Sequence, residues 1–273
     1  VSQPFAPGAR VALMGVLNVT PDSFSDGGRY FDPADAIAQG RRLAAEGADI
    51  VDVGGESTRP GAVPVSAAEE AARVLPVIRA LAGLEAAISI DTWRASTAAA
   101  ALAAGATIVN DVRGFQGDPD IARVAAEHDA PSVLMHWESH ETDPACDIFE
   151  RVRAHLARSV DIALAAGLRA ARLILDPGIG FGKTPEQNLS LIADVGRLKA
   201  AFGLPVLIGA SRKRMIAHFV GQRAPDQRLP ATLALHVAAA LAGADVIRAH
   251  DVAAHRDALA IADALRALRR ERP

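Results

Sequence analysis

The stretch Arg172-Leu173-Ile174-Leu175-Asp176-Pro177-Gly178-Ile179-Gly180-Phe181-Gly182-Lys183 decides how the rest of the chain is read. It begins as a short aliphatic run without polar alternation, the pattern of a strand buried on both faces. It stops at a carboxylate, and three glycines then pass through a loop whose backbone can be approached closely. A buried strand that delivers one charge into such a loop is a way to build a pocket floor. Taken alone, Asp176 reads equally well as a turn former. The same device recurs along the chain, and that favours the pocket.

Working outward, aliphatic runs of strand length fall at 11–17, 48–53, 86–90, 106–109, 131–135, 172–175, 205–208 and 245–248. Alanine-rich segments of helical length follow each of them, and alanine both favours helix and allows close packing on a sheet. Asp32-Pro33 and Asp118-Pro119 each place an acid before a first-turn proline. Ser66 with Glu69, and Thr184 with Gln187, have capping-box spacing. Glu46-Gly47-Ala48-Asp49-Ile50-Val51, Ala104-Gly105-Ala106-Thr107-Ile108-Val109 and Ala242-Gly243-Ala244-Asp245-Val246-Ile247 repeat a helix end, a glycine stop and a strand start. About eight such pairs in this length predict an α/β fold, a single (β/α)8 TIM barrel, over an open doubly wound sheet. No Gly/Ser-rich linker divides the chain, so 1–273 reads as one domain, with residues 1–10 and 270–273 peripheral.

Composition narrows the function. Of 273 residues, 50% are apolar and 22% charged, as in a soluble enzyme-sized domain. A net charge of −3 gives no basic footprint for nucleic acid. The longest apolar stretches are too short for a membrane span, and the start has no leader-like pattern. One cysteine, Cys146, excludes an internal disulfide and suits a reducing cytoplasm. Cys146 sits among polar residues and reads as incidental.

In a barrel of this kind chemistry belongs at the C-terminal ends of the strands. There the chain puts Asn18, then Asp52 with Gly54-Gly55-Glu56-Ser57-Thr58-Arg59-Pro60-Gly61, then Asp91, Asn110-Asp111, His136 and Asp176. Ser211-Arg212-Lys213 and Arg248-Ala249-His250-Asp251 complete the set. Asp176, Asp91, Asn110 and Lys213 suit a flat heterocycle with an amidine-like edge, which a carboxylate grips with two charge-assisted bonds. Arg59, Arg248 and His250 suit a phosphate or diphosphate. Asn18 offers a neutral oxygen to Mg²⁺, which binds mainly through substrate phosphates and water. Blander roles compete at several positions: Asp52 and Glu56 as supports of the second loop, Asp22 and Asp26 as turn formers, and His136 as a core histidine. His128, His155, His218, His236 and His255 read as ordinary helix residues. Gly180, Gly182, Lys183 and Thr184 lack the spacer of a phosphate loop.

From about Met14 to the last helix, the chain resembles the dihydropteroate synthase family, the pterin-binding barrel of folate biosynthesis. The runs from Asn18 to Gly28, Asp52 to Gly61, Asp176 to Lys183, Ser211 to Lys213 and Arg248 to Asp251 carry the likeness. The resemblance implies transfer of a 7,8-dihydropterin-6-methyl group from its diphosphate to p-aminobenzoate, releasing pyrophosphate. It assigns Asp91, Asn110, Asp176 and Lys213 to the pterin, with Met135 and Phe181 near the rings. Asn18 would position Mg²⁺, Arg59, Arg248 and His250 would clamp the diphosphate, and Thr58 would contact substrate. Lys213, Arg248, His250 and Asp91 would form the catalytic group. The first and second loops would close over the site. A homodimer is also implied. The chain departs from the family at Gln187, at Trp137-Glu138, at Phe115-Gln116-Gly117 and at Arg214, where a serine is more usual after the lysine. Two alternatives remain: a pterin-binding methyltransferase serving a corrinoid partner, and a catalytically silent pterin-binding paralogue. Thr58, Lys213, His250 and the two arginines speak against the first, since a methyl donor has no diphosphate to hold.

Overall fold

A computed structural model describes residues 10–20, 33–57 and 63–270. The first turn of the sheet is β1 (Ala12–Asn18), followed by α1 (Pro33–Ala45), β2 (Ile50–Gly54), α2 (Ala67–Leu81), β3 (Ala87–Asp91) and α3 (Ala95–Ala103). Then come β4 (Ile108–Asp111), α4 (Ile121–Glu127), β5 (Ser132–Met135), α5 (Ile148–Ala165) and β6 (Leu173–Asp176). Helices α6 (Pro185–Ala193) and α7 (Val195–Phe202) lead to β7 (Leu207–Ile208), and α8 (Met215–Val220) and α9 (Leu229–Ala242) lead to β8 (Val246–Ala249). Helix α10 (Val252–Arg270) closes the chain.

The strands are parallel in the order β6-β5-β4-β3-β2-β1-β8-β7. A parallel bridge from Leu175 to Val206 joins the two ends and makes the sheet a barrel. The expected strands are all present, their observed starts one or two residues later and their ends mostly one residue later. Asn18, Asp91 and Asp176 are therefore last residues of strands, held by sheet geometry rather than by loops.

Two apolar layers form. The larger lies between sheet and helices and includes Leu13, Val53, Ile78, Leu134, Leu156 and Leu175. The smaller fills the barrel interior with Ala12, Met14, Ile50, Ile108, Val133, Ile174, Leu207 and Val246. Side chains alternate along a strand. Two residues beyond the interior layer, the same direction is taken by Asp52 after Ile50, Asn110 after Ile108, Met135 after Val133, Asp176 after Ile174 and Arg248 after Val246.

Local signals behave as expected with one exception. Gly47, Gly105 and Gly243 have φ of 98°, 117° and 114° after their helices, as the internal repeat requires. Thr184 and Gln187 form a reciprocal capping box, and Ser66 Oγ accepts from Glu69 N–H at 3.2 Å. Asp32 lies outside the described residues. Asp118 does not cap the helix that follows, because α4 starts only at Ile121. Its Oδ1 accepts from Asp120 N–H (3.0 Å) and its Oδ2 from Ala95 N–H (2.8 Å), the first residue of α3. Asp118→Ala is therefore expected to lower stability by about 1–2 kcal/mol. An unchanged urea midpoint would contradict this cross-loop cap.

Candidate active site

The strand ends converge. Arg248 Nε donates to Asp52 Oδ2 at 2.6 Å and its Nη2 to Asp91 Oδ2 at 2.8 Å. Asn110 Nδ2 donates to the same Asp52 oxygen at 3.0 Å. Asp176 Oδ1 accepts from Gly178 N–H at 2.7 Å, and Lys213 Nζ lies 3.9 Å from the centre of the Phe181 ring. One mouth thus collects Asp52, Asp91, Asn110, Asp176, Lys213 and Arg248 from six different strands or the loops after them. Asn18 stands partly exposed at the end of β1, in register with Gly54. Thr58 and Arg59, with Asp22 and Asp26, lie outside the described residues.

Electrostatics follow from that crowding. Burial holds the Asp91 carboxyl above its usual range; Arg248 opposes this and Asp52 adds to it. Burial also raises Asp176, against its Gly178 bond and the nearby Lys213, Lys183 and Arg248. Lys213 is pushed down to about 8 by burial and Arg248, with Asp176 and Asp91 pulling the other way. Arg248 stays charged at any working pH, since its two carboxylates outweigh burial. His250 is pushed down to about 3 by burial, Arg248 and Arg212. It pairs through Nδ1 with Ser211 Oγ at 2.9 Å.

The sequence divides these residues into a ring half and an anion half; the structure interlocks them. Arg248 rests on Asp91 of the first half and on Asp52, which sequence reading treats as a loop support. Asp52 is fully buried and is the hub for Arg248 and Asn110. Period-two alternation from Ile50 is the signal that could have revealed it. Asp111 points away from its neighbour Asn110, with its Oδ1 and Oδ2 accepting from the N–H groups of Arg113 and Phe115, each at 2.7 Å. His136 is fully buried, as a core histidine would be, but it is not a satisfied one: neither ring nitrogen makes a hydrogen bond among the described residues, and burial and Lys183 push it down to about 2.

The loops around the mouth are tied down by Lys183, by Glu56 in the supporting role expected of it, and by Arg94 and Trp93, which the sequence did not single out. Gly178 has φ 71°, and a Cβ there would stand 1.9 Å from the His136 carbonyl oxygen, so no side chain fits. Lys183 Nζ donates to the carbonyls of Gly178 (2.8 Å) and Phe181 (2.9 Å), which spends it on the loop's own backbone rather than on a phosphate. Glu56 Oε2 accepts from Arg94 Nη1 (2.7 Å) and Trp93 Nε1 (3.2 Å). Arg94 also donates to the Val65 carbonyl at 2.8 Å, so it holds both stems of the second loop. At the departures from the family pattern, Gln187 receives the Thr142 hydroxyl at 2.6 Å. Arg113 lies between Trp93 and Trp137, 4.1 and 5.1 Å from their ring centres. Arg214 is exposed at the start of α8.

A model of the pterin binding enzyme family matches residues 14–250, and the chain belongs to that family. A dihydropteroate synthase of Mycobacterium leprae (strain TN) is 47% identical over 267 residues, covering 94% of each protein. The dihydropteroate synthase of Xanthomonas albilineans with 4-aminobenzoic acid superposes with a TM-score of 0.90 at 43% identity, over 95% of this chain and 94% of that one. The same enzyme in complex with 7,8-dihydropteroate gives a TM-score of 0.86 at 41% identity, over 95% of both chains. Within the pterin-binding family, the chain falls among the dihydropteroate synthases.

Proposed function

We propose that the chain condenses 7,8-dihydropterin-6-ylmethyl diphosphate with p-aminobenzoate, giving 7,8-dihydropteroate and pyrophosphate for folate biosynthesis. The observation that carries this reading is the meeting of Asp176, Asp91, Asn110, Lys213 and Arg248 in one barrel mouth. Asp176 takes the ring N–H and exocyclic amine as a pair, using the oxygen capacity that Gly178 leaves. Asn110 and Asp91 complete the edge, and Lys213, steadied over Phe181, donates to a ring acceptor. Arg248 and His250 hold the diphosphate, and the family resemblance adds Arg59 to that clamp and Thr58 to the substrate contacts.

In the reaction the methylene–oxygen bond breaks, its electron pair leaves with pyrophosphate, and the amine nitrogen forms the new bond and loses a proton. Stabilising the leaving anion lowers the barrier. Arg248 does so from a position preset by Asp52 and Asp91, which limits reorganisation. Among the described residues no three His, Cys, Asp or Glu side chains could hold a metal together. The amide oxygen of Asn18 fits the role of one hard ligand to a Mg²⁺ carried mainly by diphosphate and water. When bound, that ion would neutralise diphosphate charge.

The complete mixture of pterin diphosphate, Mg²⁺ and p-aminobenzoate is expected to release pyrophosphate, and omission of any one component to stop it. Release at the same rate without p-aminobenzoate would indicate hydrolysis instead. Affinity for the phosphate-free hydroxymethyldihydropterin should decline above about pH 8, as Lys213 loses its charge at a lower pH than an ordinary lysine. Affinity that stays flat to about pH 10 would remove Lys213 from the ring site.

A homodimer is the assembly we propose. Its support is a row of exposed apolar side chains on α10, Ile261, Leu265 and Leu268, spaced to share one helix face. Light scattering of Leu265→Glu against the parent chain tests it. The free Cys146 suits a cytoplasmic location, and among the described residues no helix is long and apolar enough to cross a membrane.

A further inference from the structure

Two histidines that read as ordinary helix residues, His236 on α9 and His255 on α10, are fully buried and in contact. Ala210 N–H donates to His236 Nε2 at 2.9 Å, so that nitrogen carries no hydrogen. His236 Nδ1 then donates to His255 Nε2 at 2.8 Å. The remaining hydrogen of His255, on Nδ1, goes to the Asp251 carbonyl at 2.6 Å. Every polar atom of both rings is used, in one direction only, by two neutral imidazoles. Burial, the first cause in both cases, lowers both pKa values; for His236 the His255 and His250 rings add to it, and for His255 Asp251 opposes it.

The ends of this relay are the points where two loops leave the sheet. Ala210 precedes Ser211-Arg212-Lys213, and Asp251 follows Arg248 and His250. The same loops are stitched again by His250 N–H to Ser211 Oγ (3.2 Å) and by Arg212 Nε to Asp251 Oδ2 (3.1 Å). Between them stands Arg212 with φ 58°, a left-handed backbone rare outside glycine. Strain of that kind persists where the surroundings over-determine it. Here Thr232 Oγ1 takes the Arg212 N–H at 3.2 Å and Arg228 Nη1 reaches its carbonyl at 2.9 Å. The strained residue immediately precedes Lys213 in the chain.

We infer that His236 and His255 are positioning residues, a neutral relay that sets the seventh loop against the eighth and so fixes Lys213 relative to Arg248 and His250. The inference rests on the synthase reading for its kinetic and pyrophosphate-binding parts, and not for its tautomers.

The test uses the full chain. Imidazole ¹⁵N spectra at neutral pH should show both rings as neutral Nδ1–H tautomers; the opposite tautomer or a protonated ring at either position overturns the relay. His255→Gln keeps an acceptor for His236, and kcat/KM is expected within about threefold of the parent. His255→Leu, which has none, is expected to lose about tenfold or more, with a raised KM for pterin diphosphate, weaker binding of inorganic pyrophosphate and an unchanged KM for p-aminobenzoate. Equal losses in both variants, or none in His255→Leu, would refute positioning. If the parent chain makes no dihydropteroate, the synthase reading fails, and the tautomers still decide the relay.

Discussion

Asp176→Asn is expected to weaken binding of the pterin by about 2–4 kcal/mol without lowering the melting temperature. The amide can still accept the Gly178 N–H, so the loop keeps its shape. The other prong, however, becomes a donor facing the ring's own donors, and the charge of a buried contact is lost. Stability should move the other way. Burial holds the Asp176 carboxyl above its usual range, so the folded chain keeps the proton to higher pH than the unfolded chain does. Folding then loses stability as pH rises through that interval, and a neutral amide escapes the loss. Calorimetric titration with hydroxymethyldihydropterin, beside a melting curve at slightly alkaline pH, separates the two effects. Unchanged affinity would overturn the assignment of Asp176 to the ring edge.

Arg248→Ala should cost more, about 3–5 kcal/mol of folding stability, because it strands two carboxylates that share one cation. Without the guanidinium, Asp91 retains its proton to a still higher pH, whereas the unfolded chain releases it near pH 4. The folded state binds more protons across that window, so the deficit should be larger at about pH 8 than at about pH 5. Asp52→Asn in the same background is expected to recover part of the loss. Diphosphate affinity should fall further than affinity for the phosphate-free pterin. A deficit independent of pH, with equal losses for both ligands, would show that Arg248 neither balances Asp91 nor meets the anion.

Much of this was legible beforehand, because the repeating unit is local. A run of aliphatic residues, a terminal carboxylate or amide and a glycine after the helix are all short-range signals, and eight strands were found from them. Their boundaries slipped by a residue or two because Asp91, Asn110-Asp111 and Asp176 look like loop residues until the sheet is seen to extend through them. What stayed hidden was long-range. Arg248 and Asp52 are 196 positions apart, and no spacing rule links them. His236 and His255 sit in alanine-rich helices that give no hint of what faces what. Asp118 has the pattern of a cap for the next helix, yet the helix it serves precedes it.

The aliphatic layer inside the barrel has a consequence for traffic. Met14, Ile50, Ile108, Val133 and Ile174 plug the tube below the acids, so it is a cup with one rim and not a pipe. Both reactants and both products must share that rim, and whatever lies deepest enters first and leaves last. Asp176 lies at the bottom of the cup, so the ring edge it is proposed to grip would be the deepest part of the bound pair. On the proposed binding mode ordered turnover is expected, with the pterin arriving before the amine and pyrophosphate departing while the longer product is still seated.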